Sequence, residues 1–143
     1  NNSCMKTINL YGILMLFLCV FSFYSCKDDD QTPQFEFTPE SLNQTVWKGN
    51  ITDPTYNGEV GINFETKETG VINCVDPENP EYTMVEGFTY EIKGKYIYFK
   101  NSIILKSQPW SLIEISNDKM ILKYNLVDIK PQYQSTLELT RID

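Results

Sequence analysis

The acids and nucleophiles of this sequence have no histidine to work with. Ser-His and Cys-His catalysis, imidazole-ligated zinc or copper and the commonest general base are therefore excluded within this chain. Carboxylate chemistry stays open, because a hydrolase pair needs only Asp and Glu. Glu91 and Glu114 sit on strand-like segments, but alternation sets Glu91 opposite Phe88, Tyr90 and Ile92, and so toward water. There is no phosphate-cradling glycine loop, no paired metal-ligand spacing and no nucleophile elbow. The expectation is no catalytic residue, no metal site and no cofactor.

Two acidic clusters and one thiol have structural readings. Asp28, Asp29 and Asp30 are consecutive, so they cannot converge on calcium from several directions; they read as a solvating run. Asp76, Glu78 and Glu81 share the loop "DPENPEYT", where calcium binding competes with a plainly solvated loop. Cys74 in "GVINCVD" reads as a buried structural thiol.

Aromatic rings are the other candidates for function. Trp47, Phe64, Tyr90, Tyr98, Trp110 and Tyr124 all fall on strand-like segments. In an eight-stranded barrel, inward side chains either fill the interior or leave room for one small ligand. These six are the candidate lining of an apolar cavity in which tyrosine hydroxyls orient an apolar or aromatic guest. The alternative is that the rings form the core of a small protein that has no disulfide. In "KYIYF", Tyr96 and Tyr98 share one face while Ile97 and Phe99 share the other, so one face is an exposed patch or a bulge shifts the register. Exposed aromatics can also stack on sugar rings.

The elements that must position these residues are mostly β. "TPESL" supplies Thr38 as a helix N-cap, Pro39 at the first helical position and Glu40 in the first turn. From Trp47 onward, period-two alternation recurs in "VGINF", "FTYEIK", "KYIYF", "WSLIEIS", "KMILKY" and "STLELTR". Lys93-Gly94 and Asn117-Asp118 mark tight turns. About eight or nine short strands without a crossover helix favour an all-β antiparallel meander closed into a barrel, or else a sandwich.

The N-terminus locates the chain. Residues 10–24 are nearly all apolar and follow Lys6, a layout of basic segment and apolar core that reads as a secretory signal. The run is shorter than the roughly 20 residues of a spanning helix and is followed by acid, so cleavage before Cys26 is preferred to an uncleaved anchor. Residues 1–4 precede the first methionine, Met5, which is the expected start. "FYSC" followed by "KDDD" resembles the lipobox and surface-export signal of lipoproteins from some Gram-negative bacteria. That resemblance implies acylation of Cys26, anchoring on the outer membrane and a mature chain starting there. Phe23 and Tyr24 replace the residues commonest in a lipobox.

"SLNQTVWKGNI" and the later strand rhythm resemble the lipocalin-like domains of bacterial lipoproteins. The implied organisation is a signal peptide over 1–25, an acylated tether over 26–37 and a lipocalin-like barrel over 38–143. The order Trp-Lys-Gly departs from the Gly-x-Trp of true lipocalins. Asn43 and Asn50 head glycosylation sequons, which carry little meaning in such a protein.

The chain's net charge of −7 becomes −8 once Lys6 leaves with the signal. Such a surface repels nucleic acid and anionic headgroups, leaving acyl chains as the membrane contact and a small apolar ligand or glycan as partner. The expected function is non-catalytic binding or scaffolding. The alternative is an accessory protein- or glycan-interaction subunit with a packed barrel beside an outer-membrane uptake system.

Overall fold

The computed structural model describes residues 34–124 and 130–143. The expected signal segment, Cys26 and the tether up to residue 33 lie outside the described residues. Among the described residues, no helix is long and apolar enough to cross a membrane.

Eight antiparallel strands form one closed meander barrel. They are β1 (Thr45–Asp53), β2 (Tyr56–Phe64), β3 (Thr69–Val75), β4 (Thr83–Lys93), β5 (Tyr96–Lys100), β6 (Pro109–Ile115), β7 (Lys119–Tyr124) and β8 (Ser135–Arg141). Each strand pairs with its sequence neighbour, and β8 closes on β1, with Trp47 facing Arg141 and Ile51 facing Leu137. A bulge between Leu112 and Glu114 in β6 shifts the register there. β5 has none, so Ile97 and Phe99 are buried while Tyr96 and Tyr98 turn outward. The tight turn between β4 and β5 falls on Gly94 and Lys95, one residue beyond the expected pair, with Gly94 at φ +61°.

A single helical turn, α1 (Pro39–Leu42), precedes the barrel. The Thr38 hydroxyl accepts the Ser41 N–H at 3.2 Å, and Pro39 needs no amide partner in the first turn. Leu42 is buried in the core, and the Thr45 hydroxyl donates to its carbonyl at 2.6 Å. The packed unit starts at Gln34, earlier than the boundary at residue 38 that the sequence suggested. Phe35 accounts for the difference: its ring meets Trp47 edge-on at 5.7 Å, and its N–H donates to Asn117 Oδ1 at 3.0 Å.

The two ends of the barrel differ. The α1 end carries the turns at 65–68, 94–95 and 116–118. The far end carries the loops at 54–55, 76–82 and 101–108. Between them the core is filled by Trp47, Trp110, Phe64, Phe99 and aliphatic partners, all without exposed surface.

Closure also requires a glycine. A Cβ on Gly49 would lie 1.8 Å from the backbone oxygen of Glu138 on β8. Any side chain there must push the two closing strands apart. Gly49→Ala is expected to lower stability by about 1–3 kcal/mol, the usual range for overpacking. Urea unfolding measures it, and an unchanged midpoint would refute the close approach of β1 and β8.

Candidate functional site

Among the described residues, the six candidate cavity residues line no shared void. Trp47, Phe64, Tyr90 and Trp110 are buried in the core. Phe64 and Tyr90 meet edge-on at 5.1 Å, and Trp110 packs against half-buried Tyr124 at 5.5 Å. Tyr98 points out of the barrel, with Lys93 Nζ 5.4 Å from its ring centre.

The polar handles of the buried rings are already used. Trp47 Nε1 donates to the Thr45 hydroxyl at 2.8 Å, Trp110 Nε1 to the Leu105 carbonyl at 2.5 Å, and the Tyr90 hydroxyl to the Thr66 carbonyl at 2.9 Å. Burial pushes the Tyr90 phenol up to about 12, with Glu40 adding to the shift. Among the described residues, no buried side-chain nitrogen or oxygen lacks a partner. A guest would find no free group to orient it.

The far end of the barrel is organised by residues that belong to no motif in the sequence. Leu105, in the 101–108 loop, is fully buried. Two carboxylates hold that loop. Glu86 Oε2 accepts the Ser102 hydroxyl at 2.6 Å and the Ile103 and Ile104 amides at 3.0 and 3.1 Å. Ser102 in turn accepts the Leu105 amide at 3.0 Å.

Asp53, at the end of β1, is the second carboxylate. Lys106 Nζ donates to its Oδ2, and the Ser135 hydroxyl donates to the same oxygen at 2.5 Å. Thr55 supplies its amide at 3.0 Å and its hydroxyl at 2.7 Å to Oδ1. Burial pushes the Asp53 carboxyl up, but these donors outweigh it and hold the group well below the usual carboxylate range. Lys106 also lies 5.0 Å from the Tyr124 ring centre.

Around this clamp lies an apolar rim. Tyr56, Met84, Ile103 and Ile104 border a cleft of about 200 Å³ that Asp53 and Lys106 also line. A hollow of about 360 Å³ shares Tyr56 and Met84 and continues to Tyr82. Ile103 is 85% exposed, Tyr82 70% and Met84 55%. The cleft lies below, and the adjoining hollow just above, the roughly 300 Å³ at which small-molecule pockets usually begin, and both are open to solvent. The pair suits contact with a surface better than enclosure of a guest.

Comparison with protein-family models, with curated proteins and with solved structures finds no match to the chain.

The remaining sequence candidates are placed as follows. Cys74 is buried as expected; burial pushes its thiol up, only partly offset by the Tyr56 hydroxyl. Glu91 and Glu114 lie on strands separated by β5, and each contacts a lysine, Lys93 and Lys119 respectively. Asp76 Oδ1 accepts the Glu78 amide at 2.9 Å, a turn within the 76–82 loop.

The clamp and the thiol are both testable. A carboxyl held low when folded contributes stability that is complete above its unfolded value near 3.9 and fades as pH falls below it. Asp53→Asn should therefore cost about 1–3 kcal/mol at pH 7, and the gap to wild type should narrow below about pH 4. Chemical denaturation at both pH values checks this, and a gap independent of pH would show that the carboxylate charge is not what holds the loop. Cys74 should resist alkylation by iodoacetamide until the protein unfolds. Rapid labelling of Cys74 in the native chain, read by the mass of its peptide, would contradict its burial.

Proposed function

We propose that this protein is a lipid-anchored, non-catalytic component of a Gram-negative cell envelope, acylated at Cys26, whose barrel is a scaffold for contacts made on its outside. One observation carries the reading. The interior is filled by rings whose N–H and O–H groups are bonded within the fold, while apolar side chains stand exposed at the far end. Enclosure of a small apolar ligand, the competing use of such a barrel, would require displacing that packing.

The anchor reading rests on the border at Cys26, where an apolar run gives way to Lys27 and three aspartates. Each buried CH₂ of an acyl chain contributes about 0.8 kcal/mol, so two or three chains suffice for stable attachment. Gln34 and Phe35 enter the barrel at the α1 end, opposite the rim of Tyr82, Met84 and Ile103. That rim is left to a partner, and the membrane to the acyl chains of Cys26. The acidic composition fits this division, with acyl chains for the membrane and the exposed rim for a partner.

Native mass spectrometry of the detergent-extracted protein tests both halves. The expected species starts at Cys26, carries acyl mass and has no stoichiometric guest. Cys26→Ser should lose the acyl mass and move to the aqueous phase on detergent partitioning. An unmodified wild-type mass would end the anchor reading, and a bound apolar guest would end the filled-scaffold reading.

A further inference from the structure

On this acidic chain, three of the four described lysines without an ion-pair partner lie on or beside β5 to β7. Six described basic side chains are ion-paired: Lys48, Lys67, Lys93, Lys106, Lys119 and Arg141. Among the described residues, Lys95, Lys100, Lys123 and Lys130 have no carboxylate within salt-bridge distance; Lys95 and Lys100 flank the outward tyrosines along β5, and Lys123 lies across β6 from Tyr96. The register sets Lys93, Tyr96, Ser111 and Lys123 in one row across β4, β5, β6 and β7. In the next row Tyr98 stands between Glu91 and Pro109, with Lys100 two residues further along β5. Lysine ammonium groups lie over both rings, Lys93 5.4 Å from the Tyr98 centre and Lys95 5.7 Å from that of Tyr96.

The geometry points to a binding face for an acidic oligosaccharide of the uronate class on the outer surface of β4 to β7. The C–H face of a pyranose ring stacks on Tyr96 or Tyr98, and sugar carboxylates meet Lys95, Lys100 and Lys123. Neither feature alone selects this ligand. Rings without charge would take neutral sugars, and charge without rings would take any polyanion. Phosphate ligands fit less well, because β5 pairs on both sides and its strand amides are engaged in the ladder, leaving no nest to cradle them. Nucleic acid, with its dense charge, is also opposed by the chain's net −7.

This face shares no residue with the apolar rim and does not depend on acylation of Cys26, so its test is independent of the anchor. The full chain, in detergent, is run by affinity electrophoresis through gels containing polygalacturonate, neutral dextran or single-stranded DNA. Retardation by polygalacturonate alone is expected, weakening as salt rises. Tyr98→Ala and Lys95→Glu, at an exposed turn residue, should each reduce apparent affinity about tenfold, with unchanged melting curves for Lys95→Glu. The Cys26→Ser chain should bind equally well, so failure here and failure of acylation are told apart. No retardation, retardation insensitive to both substitutions, or equal retention by DNA would overturn the proposal.

Discussion

Pairing of β8 with β1 imposes the constraint on which the rest of the molecule depends. Closure removes every sheet edge, but it encloses a space that must be filled by side chains or left as a cavity. With the lone described cysteine unpaired, no disulfide compensates for a poor core. Large rings supply the needed area, with Phe88 meeting Phe99 at 5.2 Å and Phe64 meeting Tyr90 at 5.1 Å. Two glycines are the corollary. Gly49 admits the β8 backbone, and Gly70 lies beneath Phe88, whose Cζ would be 2.4 Å from an added Cβ. The packing that stabilises the barrel also occupies the space between its described strands.

Filling the middle leaves two ends to close, and the chain closes them differently. At the α1 end, Leu42 arrives on a capped helical turn continuous with β1, so little chain must be ordered to bring it there. At the far end, Leu105 sits in a loop with no regular structure. Burying one leucine contributes about 1.5–3 kcal/mol, whereas fixing each loop residue costs about 1–2 kcal/mol of backbone entropy. The leucine alone cannot hold the loop. Glu86 and Asp53 make up the difference by engaging Ser102, Ile103, Ile104 and Lys106. The left-handed backbone of Asn101 and Lys106, at φ +65° and +57°, is tolerated inside that frame.

The barrel was legible because its strands alternate on a period of two and its turns carry Gly, Asn and Asp. The direction of Tyr98 was legible too: it shares parity with Tyr96, opposite the buried pair Ile97 and Phe99, so it lines no interior. Two signals were present but were not read. Glu86 shares inward parity with Phe88 and Tyr90, and a glutamate at such a position must have partners waiting. "SIILKS" places three apolar residues in a stretch without alternation, the mark of a loop folded onto the core. The Asp53 clamp could not be read, since Asp53, Lys106 and Ser135 meet only once the barrel closes. Packing density inside a barrel has no period in the sequence at all, and so an open or a filled interior fits the same alternation.

The Asp53 cluster brings a carboxylate, an ammonium and a hydroxyl together, which invites a chemical reading. Its bonds argue otherwise. The Ser135 hydroxyl donates to Asp53, so the serine proton is directed at a carboxylate that Lys106 and Thr55 already satisfy. Lys106, as the ammonium of that ion pair, has no lone pair with which to take it. The register supplies the structural purpose. β1 and β8 pair in backbone register from Trp47 with Arg141 to Thr52 with Thr136, and Asp53 with Ser135 is the next step. Side chains thus extend the seam by one rung where the backbone ladder ends, and the same oxygen ties down the loop through Lys106. A cluster so fully engaged in holding three segments together has no group left over for a substrate.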